Sequence, residues 1–193
     1  HRDLHSFPTR RSSDLFYSSL NKEYVTLKEY TERMKEKQEF IYYAAGSDIA
    51  QIDKLPQMEQ LKEKEMEVLY FIDDIDEFAI KMLSEYEGKK FKNISQGDLN
   101  LESKEEKKAL RNKEKTYKSL LAHIKESLKD KVSDVKLSSR LKDSPVCLVT
   151  DDDISFEMER VLSQMPGKDS EIRAKRILEI NPEHELFKAL ETL

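Results

Sequence analysis

The chain has 193 residues, 38% of them charged and 37% hydrophobic, with a formal net charge of −5. That allows one or two domains around a modest core, and the acidic balance argues against binding a nucleic-acid backbone, which needs clustered cations. The single cysteine rules out an internal disulfide and fits a reducing compartment, and no apolar run is long enough for a membrane span or a secretory signal.

Residues 1–15 follow neither a helical nor a strand period and are set aside as a disordered or non-native tail, read as translated sequencing-adapter sequence. Thr26 and Glu29 form a capping box that opens a helix through Leu27, Tyr30 and Met34. Phe40–Ala45 reads as a buried strand closed by Gly46. A helix over residues 56–64 turns Met58 and Leu61 inward, and residues 68–72 form a second buried strand. Asp73 or Asp74 then caps a helix whose apolar positions, Ile75, Phe78, Ala79, Met82, Leu83 and Tyr86, have amphipathic spacing, with Gly88 ending it. Residues 91–94 supply a third strand. Strands alternating with helices predict a small, mostly parallel sheet covered by helices.

The polar, Gly-containing stretch 95–100 marks the boundary between two units, 16–97 and 98–193. A charged helix over 101–129 follows. Its first turns carry no large apolar residue, whereas Leu110, Tyr117, Leu121, Ile124 and Leu128 form a stripe, so its start stands in water and its end packs. Strands over 132–137 and 146–150 flank a turn at 142–145. Residues 151–153 precede a helix bearing Ile154, Met158, Val161, Leu162 and Met165, stopped by Pro166 and Gly167. A strand over 174–180 leads to a last helix capped by Asn181 and Pro182. The fold class is therefore α/β: a small three-layer αβα domain joined by a long charged helix to a second, mixed α+β domain.

Chemistry is hard to find. His123 and His184 lie in different elements, His1 and His5 fall in the tail set aside above, and no CxxC or HExxH spacing occurs, which argues against zinc. The acidic runs 73–77 and 151–153 directly precede helices, where carboxylates cap free amides and meet the positive end of the dipole, and neither has calcium-loop spacing. Residues 167–170 lack the upstream glycine of a phosphate loop. Cys147 sits in an apolar strand with no adjacent base, which is the setting of an inert thiol.

Four blocks, in order, resemble the heat shock protein 90 chaperones of bacterial type. They are Leu27-Lys-Glu-Tyr-Thr-Glu-Arg-Met-Lys-Glu-Lys-Gln38 with Ile41-Tyr-Tyr43; Glu67-Val-Leu69 with Ile75-Asp-Glu-Phe78 and Gly88-Lys-Lys-Phe91; residues 138–150; and Glu179-Ile-Asn-Pro-Glu-His184. The resemblance implies that residues 16–97 are the αβα end of that family's middle segment and 98–193 a truncated C-terminal dimerisation domain. It places the ATP-binding domain, and with it ATP and Mg, in a full-length parent, so this stretch is expected to have no cofactor and no ATPase activity. It also implies a cytoplasmic location, unfolded or partly folded client proteins as partners, no nucleic acid or membrane, and a homodimeric parent whose dimer contacts are incomplete here.

By the same resemblance, clients contact Glu77 and Phe78 and the helix carrying Ile154, Met158, Val161, Leu162 and Met165. Family members often carry Trp where this chain has Phe78. Methionine suits a surface that must accept many shapes. Two other readings stand beside this one. An α/β enzyme domain could bind a small molecule near residues 46–48 or 73–78, although no Gly-rich strand-to-helix turn supports it. A scaffold could be built on the charged helix, although its stripe is too irregular for sustained heptads.

Overall fold

A computed structural model describes residues 15–151, 153–165 and 173–192. Its elements run β1 (Phe16–Ser18), β2 (Tyr24–Val25), α1 (Leu27–Arg33), β3 (Phe40–Ala45), α2 (Ile49–Asp53), a 3-10 turn at Pro56–Met58, α3 (Glu59–Glu63), β4 (Leu69–Phe71), α4 (Asp76–Leu83), β5 (Glu85–Tyr86) and β6 (Lys89–Asn93). There follow α5 (Lys104–Thr116), α6 (Lys118–Ser127), β7 (Asp134–Leu137), β8 (Val146–Thr150), α7 (Phe156–Ser163), β9 (Arg176–Ile180) and α8 (Glu185–Glu191). The chain is α/β, as its alternating periods predict.

The first sheet has the order β2-β1-β4-β3-β6-β5. Two of its five pairings are parallel, those of β3 with β4 and β6, and the three towards its edges are antiparallel, so the sheet is mixed where a mostly parallel one was expected. Successive side chains of β3 enter different cores, as strand geometry requires. Tyr42 and Ala44 pack with Ile52, Met58 and Leu61 from α2, the 3-10 turn and α3. Ile41 and Tyr43 pack with Tyr30 of α1 and Ile80 of α4. Tyr43 stacks on Phe71 with ring centroids 4.5 Å apart. The capping box forms as read: Glu29 N–H donates to Thr26 Oγ1, and Thr26 N–H to Glu29 Oε2 at 2.8 Å.

The second sheet has the order β7-β9-β8, with β9 parallel to β7 and antiparallel to β8. Leu121 of α6 and Phe187 of α8 cover it together with Val135, Leu137 and Ile180. Tyr117 meets Phe187 edge to face at 4.9 Å. The charged helix is two helices: Tyr117 leaves helical geometry at φ −97° and ψ 16° and separates α5 from α6. No residue of α5 is buried, so its start does stand in water.

Four local expectations need correction. Neither Asp73 nor Asp74 caps α4; the Asp73 N–H instead donates to the Asp76 carboxylate at 3.3 Å. That helix ends at Leu83, where Ser84 turns to φ +61°, so Tyr86 belongs to β5 and Gly88, at φ +73°, serves the β5–β6 hairpin. Ser155, not the aspartates, caps α7 by accepting the Met158 N–H at 3.0 Å, which leaves Ile154 outside the helix. His184 caps α8 through Nδ1, while Asn181 Oδ1 accepts the Glu183 N–H in the turn before it. Residues 1–14 of the tail, the Pro166-Gly167 stop, residues 167–170, Asp152 and Leu193 lie outside the described residues.

Candidate functional site

The residues singled out from the sequence converge where the two sheets meet. Glu77, on the first inward turn of α4, is only 3% exposed. One carboxylate oxygen accepts the Tyr43 hydroxyl at 3.0 Å and the Asn93 side-chain amide at 2.8 Å. The other accepts the hydroxyl of Ser155, the residue that caps α7. A buried charge has to be compensated by donors, and three converge here. Tyr43 is driven to a high pKa by burial and by the adjacent Glu77 charge, so it remains a donor. Glu77 thus joins α4, the end of β6 and the start of α7.

Phe78 is half-buried and lines a narrow cleft with Phe71, Met158 and Val161. Met158 is buried, Val161, Leu162 and Ile154 are half-buried, and Met165, 43% exposed, lies beyond the helix, which ends at Ser163 with Gln164 as its cap and so is shorter than expected at both ends. Of the seven predicted residues, Glu77, Phe78, Met158 and Val161 line one cleft, whereas Ile154, Leu162 and Met165 lie on or beside α7 outside it. Glu77 and Met158 face inward, whereas Met165 faces water. The exposed apolar side of α4 was read as its packing stripe: Ile75 is 71% and Met82 88% exposed, while Ile80 and Glu77 face the core.

A second cleft of about 180 Å³ lies along the same junction, lined by Gly46, Ile52, Gln57, Asn93, Ser155 and Phe156 among others. Gly46 is required there, because a Cβ would come within 2.8 Å of Ile52 Cγ1, and Ile52 is fully buried. This is the neighbourhood of the small-molecule alternative. Glu77, the buried carboxylate of the 73–78 stretch, lines the other cleft and has both oxygens engaged, and no group of three or more candidate metal ligands occurs among the described residues. Cys147 is buried and its thiol is pushed up to about 12 by desolvation and then by Glu179, so it does not ionise near neutrality.

Three further contacts were not read from the sequence. The Glu59 carboxylate accepts the consecutive backbone N–H groups of Lys142, Asp143 and Ser144 at 2.6, 3.0 and 3.1 Å, and the Ser144 hydroxyl. Arg140 donates to Glu179 at 2.9 Å and to the carbonyls of Ile94 and Gly97. The segment after β6 runs beside β8, with Thr150 N–H donating to Ser95 O at 2.8 Å and Gly97 N–H to Thr150 O at 2.9 Å. For Ser155 a local signal existed: a hydroxyl residue directly before a helical turn rich in Glu. For Glu59 and Arg140 none did, since their partners lie 39 to 85 residues away in sequence or belong to the backbone.

The family model described as Hsp90 protein matches residues 13–193. The chain belongs to the Hsp90 family. It is 51% identical over 176 residues to the chaperone protein HtpG of Bacillus velezensis, 49% over 177 to that of Bacillus subtilis and 52% over 176 to that of Alkaliphilus metalliredigens. These alignments cover 91 to 92% of the chain and 28% of each relative, so the chain spans just over a quarter of the length of the curated Hsp90 relatives it matches. Among the described residues no helix is long and apolar enough to cross a membrane.

Proposed function

We propose that the chain is the client-binding end of an ATP-dependent Hsp90 chaperone of bacterial type, acting in the cytoplasm on unfolded or partly folded proteins. Residues 16–97 correspond to the end of the middle segment and 98–193 to part of the C-terminal dimerisation domain of a homodimeric parent. ATP and Mg belong to other parts of that parent, and this stretch contributes no catalytic group.

The observation that carries the reading is the apolar surface around the α4–α7 junction. Ile75, Met82, Leu83 and Met165 are exposed on or just beside α4 and α7, and Phe78, Val161 and Leu162 on the same two helices are half-buried. Exposed apolar side chains on neighbouring elements suit reversible binding of apolar segments. Glu77 supports the surface without touching a client, because its oxygens are occupied. Met158 belongs chiefly to the packing between α4 and α7, so its replacement tests folding as much as binding.

Met82→Ser combined with Met165→Ser removes two exposed apolar side chains. Each is worth about 1 kcal/mol when half covered by a client, so affinity for a chemically unfolded, labelled client falls about thirtyfold with the circular dichroism spectrum unchanged. Equal affinity for variant and parent chain overturns the surface assignment. Turnover of ATP that scales with the concentration of purified chain overturns the non-catalytic one.

A further inference from the structure

Helix α5 carries a charge pattern that neither the junction nor the core uses. Its thirteen residues hold six cations and three carboxylates, a local excess of +3 in a chain whose net charge is −5. Lys104, Lys108, Arg111 and Lys115 recur at steps of four, three and four, which places them in one row along the helix. At 1.5 Å per residue the row is about 16 Å long. All four side chains are exposed, and none makes an ion pair among the described residues. Lys107 flanks the row and is engaged by Asp98 at 3.6 Å and Asn100 at 2.8 Å. The carboxylates Glu105, Glu106 and Glu114 lie off the row, with Glu106 occupied in the capping box with Ser103.

This arrangement works against the helix that bears it. Lys104 with Lys108, and Arg111 with Lys115, are like-charge pairs one turn apart, and Lys104 sits in the first turn, at the positive end of the dipole. Packing does not require the row either, because Leu110 is the residue that reaches the core, on a different side of the helix.

We propose that this row is a docking surface for an acidic polypeptide segment, one whose Asp and Glu side chains meet the four cations in line. The width of the surface selects the partner. A single file of cations bordered by Glu105 and Glu114 matches one chain of carboxylates and would repel the second strand of a duplex. No aromatic side chain stands in the row to stack a base, and no apolar one stands there to enter a lipid surface. The inference is independent of the client-binding reading.

The test is fluorescence anisotropy of a labelled twenty-residue Glu- and Asp-rich peptide titrated with the whole chain at low salt. It compares K104Q/K108Q/R111Q/K115Q with a control of equal charge change, K37Q/K54Q/K90Q/K131Q, whose lysines are exposed and scattered. Four exposed charge contacts of a few tenths of a kcal/mol each predict about tenfold weaker binding for the row variant and little change for the control. Should the fourfold variant lose helical signal, K108Q/R111Q gives the same reading at about threefold. Equal weakening by both sets, no measurable binding of the peptide, or tighter binding of single-stranded DNA or phosphatidylglycerol vesicles than of the peptide would each overturn the proposal.

Discussion

At the scale of single residues, the strongest constraint is a pair of charges that never reaches water. Arg140 and Glu179 are each 2% exposed, and each makes several further hydrogen bonds: Arg140 to the Ile94 and Gly97 carbonyls, Glu179 to Ser138 and Lys136. The desolvation of two ions is offset only while all these donors and acceptors remain matched. Replacing Arg140 with Leu leaves a buried carboxylate with one fewer cation and two carbonyls without donors. The expected loss is about 3–5 kcal/mol, read as a lower urea midpoint at unchanged slope. Adding Glu179→Leu recovers part of that loss, because the stranded charge is gone. A double variant less stable than the single one would show that Glu179 stabilises the fold through Ser138 and Lys136 even without Arg140.

At the scale of elements, much was legible and the failures have a common form. The capping box at Thr26, the buried strands β3 and β8 and the inward Met58 and Leu61 follow from local spacing alone, and the structure reproduces them. The stripe on α4 was misassigned because period fixes which residues share a face but not which face another element covers. Here the covering partner is the first sheet, whose Tyr43 and Asn93 meet Glu77 while Ile80 packs beside Ile41 and Tyr43. The donors that satisfy Glu77 lie 16, 34 and 78 residues away, beyond any local pattern. The candidate site was legible as a set of neighbours, but which of its members face water was not.

The contact between α3 and the loop before β8 obeys the same long-range logic and has a pH signature. Burial raises the Glu59 carboxyl, but the Ser144 hydroxyl and three backbone amides outweigh it and hold it below the ordinary Glu range. A group depressed in the folded state stabilises fully above its unfolded value, and that contribution disappears as pH falls through the folded one. The parent chain therefore loses stability on acidification below about pH 4.5, and Glu59→Gln loses less over that window because its share is already gone at pH 7. Urea midpoints at pH 7 and pH 4 test this, and parallel declines for both chains would refute it.

At the scale of the molecule, the described contacts between the sheets are dominated by polar groups. Glu77 with Ser155, Glu59 with the 142–144 loop, Arg140 with the carbonyls of Ile94 and Gly97, Gln57 with the Leu148 carbonyl at 2.7 Å, and Lys142 with Glu63 at 2.9 Å all cross between the first sheet's unit, including the segment that follows it, and the second. The apolar clusters, by contrast, each gather around one sheet. A junction of this kind transmits order through a few directional bonds, so it can be cut without emptying a core. Glu59→Ala with Ser155→Ala removes two of these ties and the cap of α7 but leaves Arg140 in place. The parent chain should melt in one calorimetric transition, and the variant in two, the first belonging to the smaller sheet, which has three strands against six. Each sheet retains its own core, so the far-ultraviolet spectrum at 25 °C stays that of the parent. A single transition shifted uniformly downward would instead mean that apolar contact couples the sheets and that the polar ties only orient them.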